Sequence, residues 1–273
     1  MSVSLSAGSL TALVAALRGA GCVFAEDEAL LLTSSASTPD DLAAMVDRRL
    51  AGRPLEHIVG WVEFGGHRMV VDPGVFVPRR RSELLVRRAV ELVRRDRAGD
   101  ALLVVDLCCG CGAVGAALAR ALVDVELVAV DSDPVAVRCA LRNVDAVGGR
   151  VYQGDLYQPL PGALRGRVDV VLAVAPYVPT EARELLPPEA RLHEPSTALD
   201  GGQDGLDVVR RIIAGAPDWL APGGHLLLET GEGQIPEVTG ALAQHGLIPS
   251  VARTEEPTAT VVVGTSRAEP DGE

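Results

Sequence analysis

Asp106-Leu-Cys-Cys-Gly-Cys-Gly-Ala-Val-Gly115 follows one apolar run, Asp131 closes a second, and Val174-Ala-Pro-Tyr177 closes a third. Gly110, Gly112 and Gly115 fit G-x-G-x-x-G at a strand-to-helix turn. Glycine there lets a ligand approach the backbone, and the helix start offers free N–H groups. Asp131 stands about twenty residues further on, where an acid binds ribose hydroxyls. These two signals fit a dinucleotide site as well as a nucleoside sulfonium site. Asp106 separates them, because a carboxylate at the strand end repels a pyrophosphate. S-adenosylmethionine (SAM) has no phosphate and carries a cationic amino group and a sulfonium. The chemistry that fits is methyl transfer from SAM, with S-adenosyl-L-homocysteine as product. A tight turn with no ligand is the bland alternative.

Asp155 lies in Gly154-Asp-Leu-Tyr157. Its carboxylate can accept from an adenine amino group, with Leu156 against the ring, or it can cap a turn. Cys108, Cys109 and Cys111 are spaced too closely for paired C-x-x-C ligands and have no nearby His, so they read as small side chains filling a crowded turn. His193 lies in a motif, where it reads as a packing or capping residue. Val174, Ala175, Pro176 and Tyr177 are the candidate catalytic segment, a turn that presents backbone carbonyls and an aromatic face. Methyl transfer needs mainly proximity and alignment. The signature holds no evident general base.

These residues need elements to position them. The periodicity predicts strands over 102–107, 126–130, near 151, and over 168–173, 225–229, 249–254 and 258–264. Helices are expected over 114–122, 134–143, 206–213 and 235–244. Such alternation implies a parallel sheet covered on both faces, and the short link between the last two strands implies an antiparallel edge. Residues 1–55 read as helical, with Thr38 as an N-cap and Pro39 behind it. Ile58 to Val71, around Gly65-Gly66, reads as a β-hairpin. The expected organisation is a helical substrate-recognition domain (1–55), a hairpin connector (56–80), a SAM-binding α/β domain (81–266) and a disordered tail (267–273).

The chain has 273 residues, 48% of them hydrophobic, with a net charge of −12. All 25 basic residues are Arg. The acidic balance disfavours nucleic acid as a general partner. No stretch approaches the ~20 apolar residues of a membrane span, and the N-terminus does not read as a signal peptide. Five cysteines, unevenly spaced, suggest no disulfide framework, so a cytoplasmic setting is expected.

Three further segments accompany the glycine-rich turn. They are Gly52-Arg-Pro-Leu-Glu-His-Ile-Val-Gly60, Phe76-Val-Pro-Arg-Arg-Arg-Ser-Glu83 and the run from His193-Glu-Pro to Gly205-Leu206. With them the chain resembles the HemK/PrmC family of protein-(glutamine-N5) methyltransferases from about Gly52 to Gly264. The resemblance implies a small helical domain followed by a seven-stranded, Rossmann-like SAM-binding domain. It puts the family's G-T-G-S-G cofactor loop on Cys108-Cys-Gly-Cys-Gly112, its ribose-binding acid on Asp131 and its adenine-flanking aromatic on Leu156. The N-P-P-Y acceptor loop falls on Val174 to Tyr177. The implied substrate is a glutamine side chain in a protein, for which release factors are the family's usual case.

This chain departs from that pattern at two places. Val174 replaces the Asn that hydrogen-bonds the acceptor amide, while the carbonyls of Val174 and Ala175 can still accept. Arg80 and Arg81 replace a Pro and an acid, so Arg79, Arg80 and Arg81 form a basic loop that either faces an acidic substrate or is a solvated run. A small-molecule acceptor is therefore a competing reading, as is a SAM-binding protein with weak or no catalysis. A nucleic-acid amino-group methyltransferase, which uses a related loop on a flipped base, fits the acidic chain less well.

Overall fold

The computed structural model describes residues 3, 5–96 and 101–268. It opens with α1 (Ala7–Gly19), α2 (Ala25–Ser35), α3 (Pro39–Leu50) and α4 (Leu55–Val59). Helix α3 starts as its sequence predicts: the Asp41 N–H donates to the Thr38 hydroxyl at 3.1 Å, and Pro39 needs no donor in the first turn. These helices enclose a core of their own, with Leu17, Leu32, Met45 and Ile58 inside.

The hairpin begins later than the sequence reading places it. Ile58 and Val59 finish α4, and Gly60 ends that helix in the left-handed region (φ 83°). The strands are β1 (Trp61–Phe64) and β2 (His67–Val70), paired antiparallel. A short apolar run does not by itself distinguish a single helical turn from the start of a strand. The hairpin also does more than connect, since Phe64 and Met69 are buried in the core of the following α/β unit. Asn143 fastens it there. Its side-chain oxygen accepts the Val70 N–H at 2.9 Å, and its NH2 donates to the Val70 and Cys111 carbonyls at 2.8 Å each.

Next comes α5 (Glu83–Asp96), a helix absent from the sequence expectations, which buries Leu85, Ala89 and Leu92 and exposes Arg87, Glu91 and Arg94. The alternating unit follows in order: β3 (Leu102–Leu107), α6 (Ala113–Ala121), β4 (Val125–Asp131), α7 (Pro134–Val144), β5 (Arg150–Gln153), β6 (Val168–Ala173), α8 (Pro188–His193), α9 (Asp207–Gly215), β7 (Leu220–Glu229), α10 (Ile235–Gln244), β8 (Ile248–Glu255) and β9 (Thr258–Thr265).

The seven strands lie in the order β5-β4-β3-β6-β7-β9-β8. Strands β3 to β7 run parallel, and β9 pairs antiparallel with both β7 and β8. Successive side chains of the central strands enter opposite cores: Val104 and Leu172 pack on one face, Val105 and Val171 on the other. From β3 the chain proceeds outward through β4 and β5, then returns to β6 on the other side. The strand order therefore reverses between β3 and β6. The crevice at the carboxyl ends of strands flanking such a reversal is where open α/β sheets bind ligands. Of the tail expected from Arg267 onward, residues 269–273 lie outside the described residues. No helix among the described residues is long and apolar enough to cross a membrane.

Candidate active site

The loop after β3 is shaped by packing from behind. Gly112 has φ 77°, and a Cβ there would lie 2.7 Å from Val144 Cγ2, so the turn into α6 fits only against glycine. Asp106, 1% exposed, accepts the Gly115 N–H at 2.9 Å. It thus caps the positive end of α6 from inside the protein instead of lining the crevice. Burial pushes its carboxyl up to about 7. Cys109 and Cys111 also turn inward and pack in the core with Cys139. Cys108 stays at the crevice in a left-handed conformation (φ 53°), and burial holds its thiol far above the ordinary value.

Asp131, at the end of β4, faces the crevice. Its carboxylate accepts the Gly110 N–H at 2.8 Å and the Asp133 N–H at 2.9 Å, and burial raises its pKa despite those bonds. A pocket opens here between Asp131, Cys108, Gly110, Val130, Leu156 and Val174. Asp155 lines it too, with its carboxylate engaged by Arg211 and by Gln158 at 3.4 Å. Leu156 covers one wall in a second strained, left-handed conformation (φ 50°). Such conformations cost a bulky residue roughly 1–2 kcal/mol, and here two of them border one pocket. Of the sequence-predicted cofactor residues, Asp106, Cys109, Cys111 and Gly112 shape the loop from behind, and the others reach the pocket. Phe76, the first residue of the Phe76–Glu83 segment, also lines it, as do Ser132 and Arg211, which belong to none of the quoted motifs.

A second pocket adjoins the first and shares Phe76, Val174 and Ala198 with it. Arg79, Arg81, Ala175 and Tyr177 form its polar and aromatic side, and Leu186, Pro187 and Leu199 its apolar side. Pro176 borders the first pocket, and Arg80 borders a separate hollow beside Arg49 and Glu189. The Val174–Tyr177 loop is held by neighbours. The Val178 N–H donates to the Leu199 carbonyl at 3.1 Å, and the Gln234 amide donates to the Tyr177 carbonyl at 3.0 Å. The Val174 and Ala175 carbonyls accept no hydrogen bond from any described residue.

Two buried acids fix the arginines of this second pocket. Arg79 pairs with Glu194 at 2.6 Å and sits over the Phe76 ring. Arg81 pairs with Glu229 at 3.0 Å and donates to the Tyr177 hydroxyl at 2.6 Å. Sequence reasoning passed over both acids. Glu194 was visible within the Glu-Pro motif, and Glu229 as the acid that closes an apolar strand.

Comparison with known proteins places the chain among methyltransferases. Residues 67–185 match the family model "Methyltransferase small domain". The chain is 40% identical over 213 residues to a release factor glutamine methyltransferase of Geobacter sulfurreducens, covering 76% of this chain and 72% of that protein. It is 41% identical over 197 residues to a 4-amino-L-phenylalanine/4-methylamino-L-phenylalanine methyltransferase of Streptomyces pristinaespiralis, covering 71% of this chain and 66% of the relative. Among solved structures, a ribosomal protein L11 methylase from Lactobacillus delbrueckii subsp. bulgaricus superposes with a TM-score of 0.51 at 16% identity, over 73% of this chain and 84% of that one. This last likeness concerns the fold alone.

Proposed function

The chain belongs to the HemK/PrmC family of protein-(glutamine-N5) methyltransferases, and we propose that it transfers a methyl group from SAM to a glutamine side-chain amide in a protein, with a translation release factor as the leading substrate. The observation that carries this reading is the shared wall between the two pockets. Phe76, Val174 and Ala198 border both, so a donor in one and an acceptor in the other meet at the Val174–Tyr177 loop.

The first pocket fits SAM by the chemistry of its lining. Asp131 and Asp133 supply negative charge, Val130, Leu156 and Val208 supply apolar walls, and the one cation, Arg211, is already paired with Asp155. Such a lining suits a cationic nucleoside and repels a pyrophosphate. SAM, when bound, supplies an electrophilic methyl on its sulfonium. Asp131 would hold the ribose hydroxyls, Leu156 would cover the adenine, and Cys108 and Gly110 would border the amino-acid end. On the acceptor side the free carbonyls of Val174 and Ala175 would take the N–H donors of the acceptor nitrogen, which orients its lone pair. Tyr177 and Phe76 would enclose it and exclude water. Arg79 would face an acidic feature of the substrate. The helices of residues 1–55 serve in this reading as the substrate-recognition unit, with 56–80 linking them to the methyltransferase unit.

A second reading has its own support. Val174 leaves an amide oxygen without a side-chain donor, which typically costs about 1–3 kcal/mol. A free amine has no such oxygen and keeps its own lone pair. The relative from Streptomyces pristinaespiralis is named for methyl transfer to 4-amino-L-phenylalanine and 4-methylamino-L-phenylalanine. Val174→Asn separates the two readings. If the acceptor is an amide, the variant raises methylation of a recombinant release factor. A variant that gains nothing there, while the native protein methylates 4-amino-L-phenylalanine, moves the assignment to an amine.

A further inference from the structure

Three elements converge on one hydroxyl at the second pocket. Tyr177 follows β6, Arg81 lies in the turn before α5, and Glu229 closes β7. The Tyr177 hydroxyl donates to Glu229 Oε1 at 2.9 Å and accepts from Arg81 Nη2 at 2.6 Å. Arg81 Nε donates to the same Glu229 oxygen at 3.0 Å, so the three groups close a ring of hydrogen bonds. The Glu229 side chain is 3% exposed, and Arg81 is the cation that offsets its charge. The Arg81 guanidinium also lies 5.9 Å from the centre of the Tyr177 ring. Burial and the Glu229 charge both keep the phenol neutral. A hydroxyl engaged as donor and as acceptor is fixed in rotation, and it fixes the ring that carries it.

We infer that Arg81 and Glu229 are positioning residues that act through the Tyr177 hydroxyl and set the plane of the ring walling the acceptor pocket. This rests on reading that pocket as the acceptor side of a methyltransferase. The hydroxyl is spent on Arg81 and Glu229, so Tyr177 meets an acceptor with its ring face. Arg81 matters here for the ring's orientation. Misplacement of an acceptor by about 1 Å can cost on the order of a hundredfold in rate.

The test needs a readout apart from turnover. The chain has three tyrosines, Tyr152, Tyr157 and Tyr177. In protein labelled with ring-13C tyrosine, the signals lost in Tyr177→Phe identify Tyr177. Removing both charges together, in Arg81→Gln/Glu229→Gln, avoids leaving a buried carboxylate unpaired, and Arg81→Lys provides a variant that keeps the charge but not the fork. The expected result is that the Tyr177 ring signals move and average in both variants, while calorimetric SAM affinity stays within about twofold. Unchanged Tyr177 signals in the double variant would overturn the inference.

Kinetics supply the second arm, with a recombinant release factor as the acceptor probe. Arg81→Gln/Glu229→Gln should lower kcat by roughly tenfold in the native background and by less than about twofold on Tyr177→Phe. Equal losses in both backgrounds would mean that Arg81 touches the acceptor directly, and would also overturn the inference. Absence of transfer by the native protein, with the ring signals responding as expected, would instead refute the reading of the pocket and leave the positioning of Tyr177 standing.

Discussion

The Asp131 carboxylate accepts the Gly110 N–H at 2.8 Å, a bond that ties the end of β4 to the loop after β3 across 21 positions of sequence. The acid proposed to hold the ribose is therefore also part of what holds the loop in shape. Asp131→Ala removes both functions. Hydrogen bonds to charged groups contribute about 1.5–3 kcal/mol, so SAM affinity should fall by one to two orders of magnitude in a calorimetric titration. Melting temperature should fall even without ligand. Full affinity in the variant would remove Asp131 from the site.

Cys108 gives a test of backbone strain. At φ 53° it occupies a conformation that glycine adopts freely and other residues avoid, and the family motif places glycine there. Cys108→Gly should therefore be more stable than Cys108→Ala by about 1 kcal/mol, the reverse of the usual order of these two residues. Denaturant unfolding of the two variants decides it. An alanine variant as stable as the glycine one would mean that the loop relaxes without cost.

Asp106 predicts a pH dependence of stability. Its carboxyl is raised from the ordinary value of 3.8 to about 7 in the folded protein. Between those values the folded state holds a proton that the unfolded state has lost, so this group's contribution to stability falls as pH rises from about 4 to 7. Asp106→Asn retains an oxygen for the Gly115 N–H and cannot ionise. Relative to the native protein it should gain stability from pH 5 to pH 8. A difference that stays constant over that range would show that Asp106 titrates normally.

The fold was legible where periodicity and turn chemistry agree. Leu102–Leu107 and Val168–Ala173 form strands with the predicted limits because both are apolar runs, each interrupted by a single Asp, bounded by turns. The lining of the first pocket was partly legible: Asp131, the last residue of β4, and Leu156, three residues past β5, both border it. Asp106 reads the same way in sequence yet turns inward, because the last residues of a strand alternate faces and Gly115 leaves room behind the loop. The second pocket was half legible. Val174–Tyr177 and the arginines stood out, whereas Glu194 and Glu229 reach them from positions over a hundred residues away from Arg79 and Arg81. No local pattern records a pairing of that kind.

Gly201 supports the Val174–Tyr177 loop by close approach. A Cβ there would lie 2.6 Å from the Pro176 carbonyl oxygen and 2.5 Å from that of Gly205. Gly201→Ala must push one of these backbone segments away, at a cost of about 1–3 kcal/mol. The Val174–Tyr177 loop should shift with it, so methyl transfer should fall along with stability. Thermal unfolding and a labelled-methyl assay on the same preparation check both. Native stability with native transfer would show that the loop accommodates the methyl group.

The most direct measurement is transfer of labelled methyl from SAM to a recombinant bacterial release factor by the purified native protein, with peptide-level mass spectrometry to locate the label and 4-amino-L-phenylalanine as a parallel acceptor. The expected result is label on a glutamine side chain, with a larger yield from Val174→Asn. Label confined to the free amine, with the release factor unmodified by either protein, would contradict the glutamine assignment.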